Sequence, residues 1–369
     1  MQIVSGAAKE TELNGLGNLV IGLDEEAGTQ SGSNNLVLGT VGQSFTNSGG
    51  FLAGVKNTVS GEAASVSGGR SNTASGAKAS VTGGESNIAK SKASSVSGGK
   101  ENKAEGEDAS VSGGTSNTVS GTSATVSGGY SNKATGTYAS ASGGAENKAE
   151  GEFASVSSGQ INTASGPYAS VSGGGGNTAS ENYSSVSGGA YNTVNAWLSS
   201  VSGGCSNVAG STAPTVNAIC TESEARPGQF ASVSGGVGNR AGALDASVSG
   251  GEEGIASGEK ASVSGGYENE ATGVAASVTG GEGNDAGGEE TSVSGGYFSA
   301  ASGPQASVSG GGENVANGKE ASISGGYLGK AEGENASVNG GFGNLASGQF
   351  SSILGGVDIT TGEPNEIYP

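Results

Sequence analysis

The apolar residues of this chain form neither helical stripes nor long runs. They recur in a short alternating phrase, Ala64-Ser65-Val66-Ser67-Gly68-Gly69, which returns as Ala109 to Gly114 and as Ala231 to Gly236. Its first Ser, or a Thr in its place, stands at 65, 80, 95, 110, 125, 140, 155, 170, 185 and 200, then at 232, 247, 262, 277, 292, 307, 322, 337 and 352, a spacing of 15. A fixed short period is the mark of a solenoid in which each repeat is one coil. Numbered from Ala64 as position 1, the repeat reads A-S-V-S-G-G-x-x-N-x-A-x-G-x-x. Period-2 alternation predicts a strand over positions 1–5, with Ala, Val and Gly inward and Ser outward. Positions 9, 11 and 13 (Asn, Ala, Gly) predict a second strand, also facing inward. Gly at 5–6 and at 13 supplies the turns. One coil cannot fold alone; stacked coils can, because each strand pairs with its copy in the next. The fold class expected is an all-β, parallel β-solenoid.

Taken in order, residues 1–17 read as a polar lead-in. Residues 18–63 read as apolar capping coils: Asn18 to Gly22, Asn35 to Gly39 and Gly50 to Gly54 each match positions 2–6. That alignment puts Val20, Val37 and Leu52 on position 4, outward, where Leu354 also falls near the other end. Regular repeats fill 64–210 and 231–356. Between them Ser200 and Ser232 are 32 residues apart, which accommodates one coil of 15 and one of 17. Thr215 to Ile219 is therefore expected to be a degenerate coil, with a bulging loop completing the segment 211–230. Residues 357–369 read as a tail. Counted this way the chain has about 23 coils.

Composition changes the picture in two respects. With 75 Gly among 369 residues and 32% hydrophobic content, the core must be thin and backbone ladders must provide much of the cohesion. A net charge of −19 argues against nucleic acid and anionic membrane surfaces as partners. No apolar run approaches the ~18 residues of a membrane span, and Met1 to Lys9 lacks the pattern of a secretory signal. The absence of His removes Ser-His and Cys-His dyads. Paired acids such as Glu252-Glu253 and Glu289-Glu290 sit in expected turns. The expectation is therefore no enzyme, no cofactor and no metal site. Gly280 to Gly288 faintly resembles a calcium-binding nonapeptide, but it occurs once and in register with the ordinary repeat.

Four sets of residues invite a functional reading. The first is the Ser face, including Ser65, Ser67, Ser110, Ser112, Ser127 and Ser142. Small uniform side chains suit a close interface, and Val20, Val37, Leu52 and Leu354 on the same face would favour burial against partner chains. The second is the Asn column, Asn72, Asn87, Asn102, Asn117, Asn132 and Asn147, expected to be a structural ladder because a buried amide must be hydrogen-bonded. The third is an aromatic column at position 15, Tyr138, Phe153, Tyr168 and Tyr183, followed by Trp197. It is either a ligand contact or a stack whose rings shield one another. A sparser set, Tyr267, Tyr297, Tyr327 and Phe342, stands at position 7. The fourth is Cys205 and Cys220, the only cysteines, 15 residues apart. If both occupy position 7 of adjacent coils they stack ~4.8 Å apart, within disulfide reach. A bridge would indicate an oxidising compartment; two stacked free thiols are the alternative.

The phrase Ser-Val-x-x-Gly followed by Ala-x-Gly, closest at Asn18 to Gly22 and Asn35 to Gly39, resembles the head repeats of YadA-type trimeric autotransporter adhesins, and is similar to repeats in phage-like tail fibres. The likeness spans residues 18 to about 356. It implies a left-handed β-roll, a homotrimer, display outside the cell on a surface or fibre, and contact with matrix, host or glycan ligands. This chain's repeat is one residue longer than that family's usual one, with Gly at position 5 thinning the core. The expected function is thus a structural, adhesive fibre segment. Binding of ice or mineral through the flat Ser array is the alternative.

Overall fold

The structure, a computed structural model, describes residues 6, 13–22, 28–39, 41–210, 228 and 230–369. They are all-β, with no helix among the described residues. They form two compact units, Met1–Gly176 and Asn177–Pro369, and each is a parallel β-solenoid.

Beyond Leu19–Ile21, Leu36–Gly39 and Phe51–Gly54 in the first coils, the strands are only two residues long. Ser65–Val66 pairs in parallel with Ser80–Val81, and Thr73–Ala74 with Ile88–Ala89. Position 7 adds a third column of single parallel bridges, Arg70 to Glu85 to Lys100 and onward, which alternation alone did not foretell. Brief strands suffice because nearly every corner also reaches across to a neighbouring coil. The N–H groups of Ser65, Ser67, Arg70, Thr73 and Ser75 donate to carbonyls of the next coil at 2.8–2.9 Å. Those of Ser71 and Lys78 donate back to the preceding coil, to Val55 and Glu62.

Positions 1, 3, 9 and 11 point inward as expected: Ala64, Val66, Asn72 and Ala74 are fully buried. Burying one Val side chain contributes about 1.5–3 kcal/mol, so a column of them stabilises the stack although each coil is thin. Position 5 does not point inward. A Cβ added to Gly113 or Gly128 meets nothing within 4 Å, so this glycine sits at an open corner and leaves the core unchanged. Its neighbour at position 6 is the constrained one. Gly114 has φ 84°, and a Cβ there would overlap the carbonyl oxygen of Gly129. Positions 8 and 15 are also left-handed, mostly without glycine, as at Ser116 (φ 58°), Phe153 (φ 56°) and the β-branched Ile161 (φ 58°). That conformation is costly for such residues. It is held by the backward hydrogen bonds that positions 8 and 15 donate.

The first coils shift register relative to the expectation. Phe51 pairs with Ser65 and Leu52 with Val66; Val37 pairs with Leu52 and Val20 with Val37. These three apolar residues therefore share the inward position 3, not the Ser face, and Val37 and Leu52 are each 1% exposed. The cause is a missing residue. Ser65 follows Phe51 by 14 residues, whereas Val55 and Arg70 are bridged at 15. Ala53-Gly54 turns the corner that Ser67-Gly68-Gly69 turns in a regular coil, without the open glycine. A slip of one residue exchanges the faces of a strand.

The second unit brings one further correction. Ser200 pairs directly with Ser232 and Val201 with Val233, while Val208 pairs with Arg240. Val233 is thus the next rung after Val201 in this sheet. The degenerate coil expected at 215–219 lies outside the described residues. Residues 357–369 are not a tail: Thr360–Thr361 and Ile367–Tyr368 extend the two sheets from Leu345–Ala346 and Ser352–Ile353.

Candidate functional site

The repeat turns single residue types into columns, and these columns are the candidate sites. On the Ser face, Ser67, Ser112, Ser127 and Ser142 are exposed, while Ser65 and Ser110 are partly covered. Neighbouring position-2 hydroxyls bond along the stack, Ser95 to Ser110 at 3.2 Å and Ser140 to Ser155 at 3.3 Å. Of the four apolar residues expected on this face, only Leu354 stands there, 54% exposed. Val20 is exposed too, but as the first rung of the core column.

The Asn column runs through the wall of each unit, and its members are fully buried. Asn72 Oδ1 accepts the backbone N–H of Asn87 at 2.9 Å. Asn72 Nδ2 donates to the Gly68 carbonyl of its own coil at 3.1 Å and to Gly84 of the next at 2.9 Å. Asn102, Asn117, Asn132 and Asn147 repeat the arrangement. All partners are protein groups in the ladder, so this column is structural.

Tyr138, Phe153 and Tyr168 form a continuous stack in the first unit. Centroids are 4.8 and 5.0 Å apart, with planes within 9°. The rings cover one another's faces, each residue remaining 41–53% exposed. Tyr183, in the second unit, is equally exposed at position 15. Trp197 is partly covered and tilted against Phe230, 6.0 Å away. The position-7 set is also ordered: Tyr327 stacks on Phe342 at 5.8 Å, and Tyr327 donates its hydroxyl to Glu313. The Tyr267 hydroxyl is pushed up to about 12, chiefly by its hydrogen bond to Glu268 and then by that carboxylate's charge. Sequence reading missed position 8, where Tyr191, Phe298 and Leu328 are exposed. Their irregular recurrence gave no column to notice.

Cys205 is a free thiol whose column neighbours are Ala190 and Val237. The expected stacking partner Cys220 lies outside the described residues. Among the described residues no three metal-ligating side chains converge, and no helix is long and apolar enough to cross a membrane. No protein-family model matches the chain, and no curated protein matches it in sequence.

Proposed function

We propose that the chain is a structural, adhesive fibre segment, displayed outside the cell at a surface and assembled as a homotrimer, whose work is contact and not chemistry. The observation that carries this reading is the Tyr138–Phe153–Tyr168 stack. Three large rings are held in register by the backbone ladder, already ordered and facing solvent. Aromatic side chains fixed before binding give contact area at low entropic cost. The resemblance to adhesin heads supports the same reading, as does the exposed Ser column with Leu354 for self-association.

Beads coated with the full chain, tested against immobilised matrix proteins and polysaccharides, examine the proposal. The triple variant Tyr138→Ser, Phe153→Ser, Tyr168→Ser should keep its circular dichroism and lose most of its adhesion. Undiminished adhesion removes the column from the reading. Light scattering that gives the mass of one chain removes the trimer. Thermal hysteresis abolished by Ser127→Arg would favour the Ser array and ice instead.

A further inference from the structure

We propose that a groove on the second unit docks an extended, Lys- or Arg-bearing segment of a partner protein. The groove encloses about 650 Å³. Its floor is one row of the second sheet, Arg240, Ile255, Glu270 and Asp285, brought side by side by consecutive parallel pairings. Glu253 and Glu268 form one rim, and Phe298 closes the end. Phe298 can lie flat there because its ring covers Gly283, whose Cβ would come within 2.6 Å of it.

Three observations define the occupant. First, Glu270 and Asp285 are direct neighbours in the ladder, a like-charge pairing that destabilises a sheet. Second, none of the ion pairs at Lys90, Lys92, Lys100, Lys260 and Lys319 includes a carboxylate of the groove; Glu268 is held by the Tyr267 hydroxyl, and Arg240 is the cation that lines the groove beside them. Third, Ile255 and the 47%-exposed Phe298 supply apolar surface beside those charges. A bare metal ion has no use for that surface. The stem of a Lys or Arg would lie on it while the charged head sits among the carboxylates. The row spans three inter-coil steps, roughly 14 Å, which an extended segment covers in about four residues. This groove is separate from the Tyr138 stack, so the proposal stands or falls independently of the adhesive reading.

Fluorescently labelled hexalysine, titrated into the full chain at low salt, is the test. Saturable binding is expected. Glu270→Gln combined with Asp285→Asn should weaken it by roughly tenfold, and Phe298→Ala by several-fold. Glu332→Gln combined with Glu334→Gln removes the same charge from exposed positions elsewhere and should leave it nearly unchanged. Thermal unfolding of each variant confirms that it folds. Equal weakening by the two double variants would mean diffuse attraction to an acidic surface and would overturn the proposal. Calcium chloride that displaces hexalysine fully, with Phe298→Ala silent, would mark a simple cation site and overturn it too.

Discussion

The side-chain oxygen of Asn87 accepts the backbone N–H of Asn102, one coil further on, at 3.0 Å. Asn102 in turn holds its own corner through Gly98 at 3.0 Å and the next coil's corner through Gly114 at 2.9 Å. One buried side chain thus closes a corner that has no strand pairing of its own. Asn102→Ala would leave the Asn117 N–H and the Gly98 carbonyl without these bonds, while the Gly114 carbonyl keeps only the Lys100 N–H. A loss of about 3 kcal/mol is expected in urea unfolding, with Asn102→Asp also destabilised because it keeps the acceptor and loses both donors.

The converse experiment uses a natural gap in the column. At Gly254 the backbone N–H still donates to Asn239 Oδ1 at 2.8 Å, but there is no side chain to pass the interaction on to Asn269. Gly254 lies outside the left-handed region. An added Cβ would come 3.0 Å from Asn239 Oδ1 and 3.3 Å from Val263 Cγ1, so both must yield slightly; with that adjustment Gly254→Asn should stabilise the chain by up to about 1 kcal/mol, through restored hydrogen bonds and a less flexible unfolded chain. An unfolding midpoint that falls would show that the neighbouring coils have closed over the gap.

The corrected register is tested by placing one charge on each face. Val37→Asp buries a carboxylate in the core column and should cost about 3 kcal/mol or more. Ser67→Asp, on the exposed face, should change the midpoint little. If Val37→Asp keeps its stability and alters only the mass in solution, Val37 belongs to an interface after all.

The period, the inward Val, Ala and Asn columns and the outward Ser were legible because each rests on a residue type repeated in register. Three things were not. Asn35 to Gly39 and Gly50 to Gly54 were aligned by their glycines with Gly69, but the strands start from the other side of a corner one residue shorter. The gap between Ser200 and Ser232 is divisible into two coils as numbers, and only the ladder shows that Val201 meets Val233. The left-handed corners at positions 8 and 15 are filled by residues such as Ser71 and Lys78, with φ 56° and 60°. Nothing in those residue types marks the conformation; it is imposed by bonds from the coil before. The groove was hidden for a related reason, since Glu270 and Asp285 are 15 residues apart and adjacent only once the register is known.

The same pair makes stability depend on pH. Asp285 binds its proton more readily than an ordinary aspartate, first because surrounding chain shields it and then because of the Glu270 charge. Its folded pKa lies above its unfolded one. Its contribution is therefore fully present below the unfolded value and lost as pH rises through the folded one. Asp285→Asn fixes the uncharged form. Its stability relative to wild type should be higher at neutral pH, and the advantage should shrink on mild acidification. Glu270→Gln should reduce the same difference by removing the second cause. Parallel urea midpoints for wild type and Asp285→Asn from neutral to mildly acid pH would show that Asp285 titrates normally.

Adjacent glycines provide the sharpest test of the corner geometry. Gly113 and Gly114 look equivalent in the repeated Ser-Gly-Gly phrase, yet their surroundings are opposite. At Gly113 an added methyl meets open space, and the backbone is not left-handed. Gly113→Ala should be neutral or should stabilise by ~0.4–1 kcal/mol, because it narrows the unfolded ensemble and disturbs nothing. At Gly114 the backbone has φ 84°, and the methyl would overlap the Gly129 carbonyl and press within 2.6 Å of Asn117 Nδ2. That substitution adds left-handed strain and displaces the amide that bonds to Gly113 and Gly129 at 3.0 and 3.1 Å. A loss of about 3 kcal/mol is expected, and damage should concentrate in the coils on either side, because solenoid stability is set by nearest neighbours. Hydrogen exchange read coil by coil, with denaturant midpoints for both variants, distinguishes them. If the two alanines cost the same, position 5 is not the open corner, and the account of the one-residue slip at Phe51 fails with it.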